Sequence, residues 1–183
     1  MRKLHLGIVD WQGNAGIFDL PKTAFLCSRS VPASAVPRPE KTLQDKAHKD
    51  RLCDELLTWQ AVEKIKIFHD RMLDAGLGID RTLLEEKLRQ SDIVCLLVSR
   101  AFLKSKYILP KEVAIAMQLH EQGKARVIPI ILETVRNYEQ LPFGKLSSVP
   151  DDLNPVCGCA DADAAWRKIN EKISAVIEEK WRG

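Results

Sequence analysis

From Lys64 onward the chain alternates short, nearly unbroken apolar runs with stretches whose apolar residues recur every three or four positions. The runs IKIF (65–68), DIVCLLVS (92–99) and RVIPIIL (126–132) are rich in β-branched residues and predict strands. The second is almost continuously apolar, as expected for a central strand covered on both faces. Pro129 inside the third is awkward for a central strand, but its neighbours are strongly β-forming and the strand assignment stands. Around these runs the period lengthens to that of a helix. Leu52, Leu56 and Trp59 share one face before the first run, and Leu84 and Leu88 stand one turn apart in 81–90. The segment 109–121 opens with Pro110 in its first turn, where a missing N–H does no harm. It presents Val113, Ala116, Met117 and His120 on one face and stops at Gly123. A last helix over 162–181 aligns Trp166, Ile169, Ile173, Val176 and Ile177, with Asp161 and Asp163 favouring its N-terminus. Nearer the start, KTAFLCS (22–28) and LHLGIV (4–9) read as strands. SVPASAVPRPE (30–40) carries three prolines and no periodicity, which predicts a loop.

Strand and helix in strict alternation imply right-handed crossovers and a parallel sheet of about five strands, doubly wound by helices. We divide the chain into residues 1–42, an N-terminal segment that includes the first strand of the sheet, and residues 43–183, the main domain. Ligands of such sheets bind at the carboxyl ends of the strands. That directs attention to the segments after Phe68, after Ser99 and before Glu112.

Composition narrows the partners. The chain has 183 residues, enough for one domain with a sizeable core. Its net charge of +3 is spread along the sequence without a basic stripe, so no nucleic-acid binding is expected. The opening MRKLHLGIVDWQG is interrupted by Asp10, Gln12 and Asn14, unlike a secretory leader. No window approaches the ~18 consecutive apolar residues of a membrane span, and a cytoplasmic location is expected. Cys27, Cys53 and Cys95 sit singly in apolar surroundings, as small hydrophobes in a reducing compartment do. Cys157-Gly158-Cys159 lacks the two-residue gap common in zinc sites and has no matching pair elsewhere, so no metal is expected.

At His69-Asp70-Arg71 a family resemblance enters. FHDRMLDAG (68–76) resembles the strand and BB-loop of prokaryotic, effector-associated TIR (Toll/interleukin-1 receptor) domains, which often read W-H-D-R-x-I-x-A-G. SDIVCLLVSRAFLKSKYILPKEVAIAMQLHEQGKARVIPIIL (91–132) is similar to the family's central strand, catalytic helix and fourth strand. LPFGKLSSVP (141–150) resembles its P-F-G-K-L-x-x-L-P segment. The resemblance covers residues 48–180 and implies a flavodoxin-like fold. Three features depart from it. The strand ending at Ser28 lies well upstream of Ala47-His48-Lys49-Asp50, where the family's S-x-x-D or H-x-D turn would stand. Phe68 and Ile79 replace tryptophans common in the BB region. Residues 1–36, with PKTAFLCSRSVPA, faintly resemble the opening strand and phosphate loop of DprA-like nucleotide-binding folds.

The resemblance implies an NAD hydrolase that cleaves the nicotinamide–ribose bond, with NAD as substrate and no further cofactor. Positive charge develops on the ribose in an oxocarbenium-like transition state, so a nearby carboxylate is the useful group. Glu112 occupies the position of the family's catalytic glutamate. Its competing reading is an acidic residue favoured by the helix dipole. Four residues before it, Ile108 replaces the usual aromatic or Cys, and Tyr107 is the alternative stacking face. Ser28 and Arg29 are candidates for contacting NAD phosphates, and Phe68 and Gly76 for bordering the ligand. Gly76 and Gly78 are either functional or simply turn glycines. His69, Asp70 and Arg71 shape the loop, while His120 is a partly buried core residue; His5 and His48 suggest nothing specific. The family further implies self-association through TIR–TIR contacts, including the BB-loop from His69 to Ile79, and an abortive-infection role against phage. The activating partner would be a separate sensor or residues 1–42. A non-catalytic TIR interaction module is the alternative, and nucleotide sensing through the N-terminal segment a third. Hydrolysis and cyclisation of ADP-ribose are not separable by sequence.

Overall fold

In the computed structural model, residues 4–7, 10–11, 24–29, 39–68, 81–104 and 108–182 are described. Three short strands come first: β1 (Leu4–Gly7), β2 (Asp10–Trp11) and β3 (Ala24–Arg29). Helices α1 (Pro39–Glu55) and α2 (Leu57–Ala61) lead into β4 (Ile65–Phe68). Then come α3 (Arg81–Arg89), β5 (Ile93–Val98) and α4 (Arg100–Lys104). A π-helical turn, Ile108–Val113, runs into α5 (Ala114–Glu121), followed by β6 (Arg126–Ile131) and α6 (Ala162–Arg182).

The six strands form one parallel sheet in the order β2-β3-β4-β1-β5-β6. This is one strand more than expected, because the two-residue β2 pairs Asp10 with Ser28 and Trp11 with Arg29 at the edge. β1 and β3 both register between β4 and β5. β1 runs along Ile65–Phe68 and reaches β5 at Ile93 and Val94. β3 meets Ile67 and Phe68 on one side and Val94, Cys95 and Leu96 on the other, nearer the carboxyl ends.

The side chains of β5 alternate between two cores. Ile93, Cys95 and Leu97 face the layer of α1 and α6, against Leu52, Leu56, Trp166, Ile169 and Ile173. Val94, Leu96 and Val98 face α3, α4 and α5, against Leu84, Leu88, Phe102, Val113 and Leu119. Every side chain of β5 is buried, which explains its unbroken apolar run. Pro129 is accommodated because β6 is the far edge strand. Outside it, Val149 donates its amide to the Pro129 carbonyl and accepts from Ile131, each at 2.8 Å. The edge is thereby closed by a short parallel bridge, not left open.

Several boundaries differ from the sequence reading. The loop expected over 30–40 gives way to α1 at Pro39, whose fixed φ suits a first helical position; residues 30–38 lie outside the described ones. Trp59 belongs not to the helix of Leu52 and Leu56 but to α2, beyond a break at Leu56. It is half-buried and donates its indole N–H to Ser174 Oγ at 2.9 Å. The helix expected over 109–121 opens as a wide turn, so its buried face is carried by Val113, Ile115, Ala116 and Leu119, with Met117 and His120 half-buried. Pro110, which has no amide hydrogen to donate, lies within that turn. α5 ends where expected: Gly123 takes a φ of +67° and the Lys124 amide closes back on the Leu119 carbonyl at 2.9 Å.

Candidate functional site

Three of the residues that sequence reasoning singled out stand at the carboxyl ends of strands. β3 ends in Ser28 and Arg29, β4 in Phe68, and β5 runs into the buried Ser99. The Ser99 hydroxyl accepts the Phe102 amide at 3.2 Å, capping α4. Beyond β6, Glu133 accepts the Arg100 amide at 2.6 Å, a charge-assisted bond that ties the end of β6 to the first turn of α4. Neither bond was read from the sequence, which marked only the segment after Ser99. Ser99 followed by a short helical run was the available sign of a cap.

Glu112 stands in the π-helical turn beyond this rim, packed next to Val113 of the second core, and only 3% exposed. A carboxylate there is expensive to enclose unless polar neighbours compensate it. The turn is in contact with both β3 and α4, so the strand bearing Ser28 and Arg29 and the turn bearing Glu112 are neighbours. π-type turns widen the helix by one residue and are often found at functional sites. Here the widening puts consecutive residues, Glu112 and Val113, both on the buried side while Lys111 stays exposed.

Phe68 is buried in the same core as Val113 and registers with Phe25 of β3. It therefore forms part of the floor beneath the rim. Gly76, Tyr107 and the loop from His69 to Ile79 lie outside the described residues. His120 behaves as a structural residue: its Nδ1 accepts the Val127 amide at 3.3 Å, pinning α5 to β6. Among the described residues no cluster of His, Cys, Asp and Glu could hold a metal ion. None of the described helices is long and apolar enough to cross a membrane.

A second polar cluster lies between α1 and the loop before α6. His48 Nε2 is 3.1 Å from Cys157 Sγ, and its ring stacks on Trp166 with centroids 5.9 Å apart. Burial lowers the pKa of His48, and the charge of Glu133 partly opposes that shift. Arg51 lies 5.8 Å over the other ring of this group, Trp166, and pairs with Asp163 at 2.7 Å. Asp161 caps α6 through the Ala164 amide at 2.8 Å, as its position before the helix predicted. The His48–Cys157 contact was not legible in sequence, since the partners are 109 positions apart.

Comparison with known proteins agrees with this architecture. A family model described as TIR domain matches residues 44–169. The uncharacterized protein y4lF of Sinorhizobium fredii (strain NBRC 101917 / NGR234) is 35% identical over 129 residues. That match takes in 70% of this chain but 39% of the relative, so the chain spans about two fifths of that protein's length. No solved structure matches.

Proposed function

Because the chain belongs to the TIR domain family, we propose that it is an NAD glycohydrolase whose catalytic carboxylate is Glu112. In the reaction, water and NAD give nicotinamide, ADP-ribose and a proton. As the nicotinamide–ribose bond breaks, positive charge grows on the ribose, and the Glu112 carboxylate offsets it while holding ribose hydroxyls. The supporting observation is a glutamate side chain enclosed in a π-helical turn beyond the carboxyl ends of a parallel sheet. That is the end where ligands of such sheets bind. Ser28 and Arg29, on the strand touching this turn, are the proposed contacts for the NAD phosphates, with Phe68, Gly76 and Tyr107 bordering the rest of the ligand.

Domains of this family mediate self-association and protein contacts. We extend this to a proposed mode of control, in which stacking through the BB-loop at residues 69–79 completes the site of a neighbouring protomer. NAD depletion on assembly, in the cytoplasm of a phage-infected cell and under the control of a separate sensor, is the proposed role. The deep burial of Glu112 favours a second reading, in which the carboxylate only braces the turn and the domain is a non-catalytic interaction module. The two are separated by following NAD and its products chromatographically with concentrated protein. Turnover, whether to ADP-ribose or to a cyclic isomer, supports the enzyme. Absence of turnover, even when protomers are tethered into oligomers, leaves the module.

A further inference from the structure

The cluster between α1 and α6 has the components of a reactive thiol, and none of its side chains is assigned a role in the proposed NAD cleavage. The Cys157 amide is anchored to the Leu132 carbonyl at 2.9 Å, which fixes the loop just beyond β6. Its thiol reaches His48 Nε2 at 3.1 Å. Two residues on, the Cys159 thiol donates to the Pro155 carbonyl at 2.9 Å. Both cysteines are half-buried and neither is in a disulfide. Gly158 between them takes a φ of +104°, a conformation open to glycine and rarely to other residues. By contrast, Cys95 is wholly enclosed in the sheet, where burial pushes its thiol up and makes it inert.

We propose that Cys157 is a redox-reactive thiol whose base is His48 and whose resolving partner is Cys159, taking a hydroperoxide as its oxidant. The neutral imidazole accepts the Cys157 proton. The thiolate then attacks the peroxide: an S–O bond forms, the O–O bond breaks, and the leaving oxygen departs as water or alcohol with the proton. Cys157 becomes a sulfenic acid, oxidised by two electrons, and the peroxide is reduced. The Cys159 sulfur next attacks Cys157, forming an S–S bond as the S–O bond breaks, and the hydroxide leaves as water with the Cys159 proton. Residues two apart cannot exceed about 7 Å between Cα atoms, a span that overlaps the ~4.4–6.8 Å range of disulfides. Burial favours the neutral form of His48, the form that can take up a proton, and the charge of Glu133 opposes the accompanying loss of basicity. The charged groups near it are Glu133 beyond β6 and Arg51, seated across Trp166. Oxidation would remove the thiol partner of His48, releasing a contact between α1 and the loop that leads into α6.

The test uses the reduced full chain. Iodoacetamide labelling read by peptide mass spectrometry gives the relative rates at Cys157, Cys159 and Cys53, the last also half-buried. The proposal expects Cys157 to react first. It expects H48Q to slow Cys157 roughly tenfold near pH 7 and move its rate profile to higher pH, through the smaller thiolate fraction. With hydrogen peroxide, wild type should form the Cys157–Cys159 disulfide, and C159S should instead give a dimedone adduct at Cys157. Cys157 reacting no faster than Cys53 in the wild-type protein would overturn the proposal, as would peroxide treatment of C159S that leaves Cys157 unmodified. The wild-type rates need no substitution, so a variant that folds poorly does not shield the idea.

Discussion

Gly144 offers a sharp test of how the edge of the sheet is closed. The segment 138–149 crosses beside β6, and its turn is held by the Gly144 amide on the Leu141 carbonyl at 2.8 Å. Tyr138 donates its phenol to the Leu146 carbonyl at 3.0 Å, and its ring meets Phe143 edge-on at 5.8 Å. Phe143 in turn packs on Phe102 of α4, so the turn cannot slide without disturbing a buried aromatic cluster. A Cβ on residue 144 would fall 2.7 Å from the Glu139 carbonyl carbon and 2.8 Å from its Cα, with the Tyr138 carbonyl oxygen closer still. Carbon atoms pack comfortably at about 3.5–4.0 Å, so the backbone would have to part by most of an ångström. Overpacking of that size costs about 1–3 kcal/mol. For a domain of this size each kcal/mol lowers Tm by about 2–4 °C, so Gly144→Ala should melt roughly 2–12 °C below wild type. The sign matters most. At an unhindered position the same change stabilises by about 0.4–1 kcal/mol, through the unfolded chain. Circular dichroism melts of the two proteins settle it, and an unchanged or raised Tm would refute the close approach.

Two further outcomes concern α6 and α1. Ile173, wholly buried between α6 and the sheet, should cost about 2–5 kcal/mol when cut to alanine; urea titrations measure it, and a loss well under that range would mean that the core closes over the gap. For His48, burial holds the folded pKa below the ordinary 6.5, so the unfolded chain takes up a proton first as pH falls. Stability should therefore decline as pH drops below 6.5. H48Q should flatten that decline in urea titrations at stepped pH, and an equally steep fall in the variant would show that other groups are responsible.

The parts of this fold that were legible in sequence are those where one local rule decides. β5 is buried on both faces, so its apolar run could hardly be anything but a central strand. α6 declared itself through the spacing of Trp166, Ile169, Ile173, Val176 and Ile177 and through the Asp161 cap. Where tertiary partners decide, local reading fell short. Pro129 looked awkward until its outer neighbour proved to be Val149, which needs no donor from it. The wide turn at Ile108–Val113 has the composition of an ordinary helical start, and its consequence, the burial of Glu112 beside Val113, appears only when α5 is packed. For the candidate site, a motif resemblance pointed to Glu112, and the turn that carries it touches β3. Glu133, bonded to Arg100, and the His48–Cys157 pair depend on elements distant in the chain, and no spacing rule links them.

The most direct measurement is the rate of nicotinamide release from NAD by wild type, E112Q and E121Q at matched, high protein concentration. Glu121 is an exposed glutamate at the end of the same helix and serves as the control. The account predicts release by wild type and E121Q alike, and a loss of about 10²–10³-fold in E112Q, the scale of removing one group that stabilises transition-state charge. Equal release by a folded E112Q would contradict it.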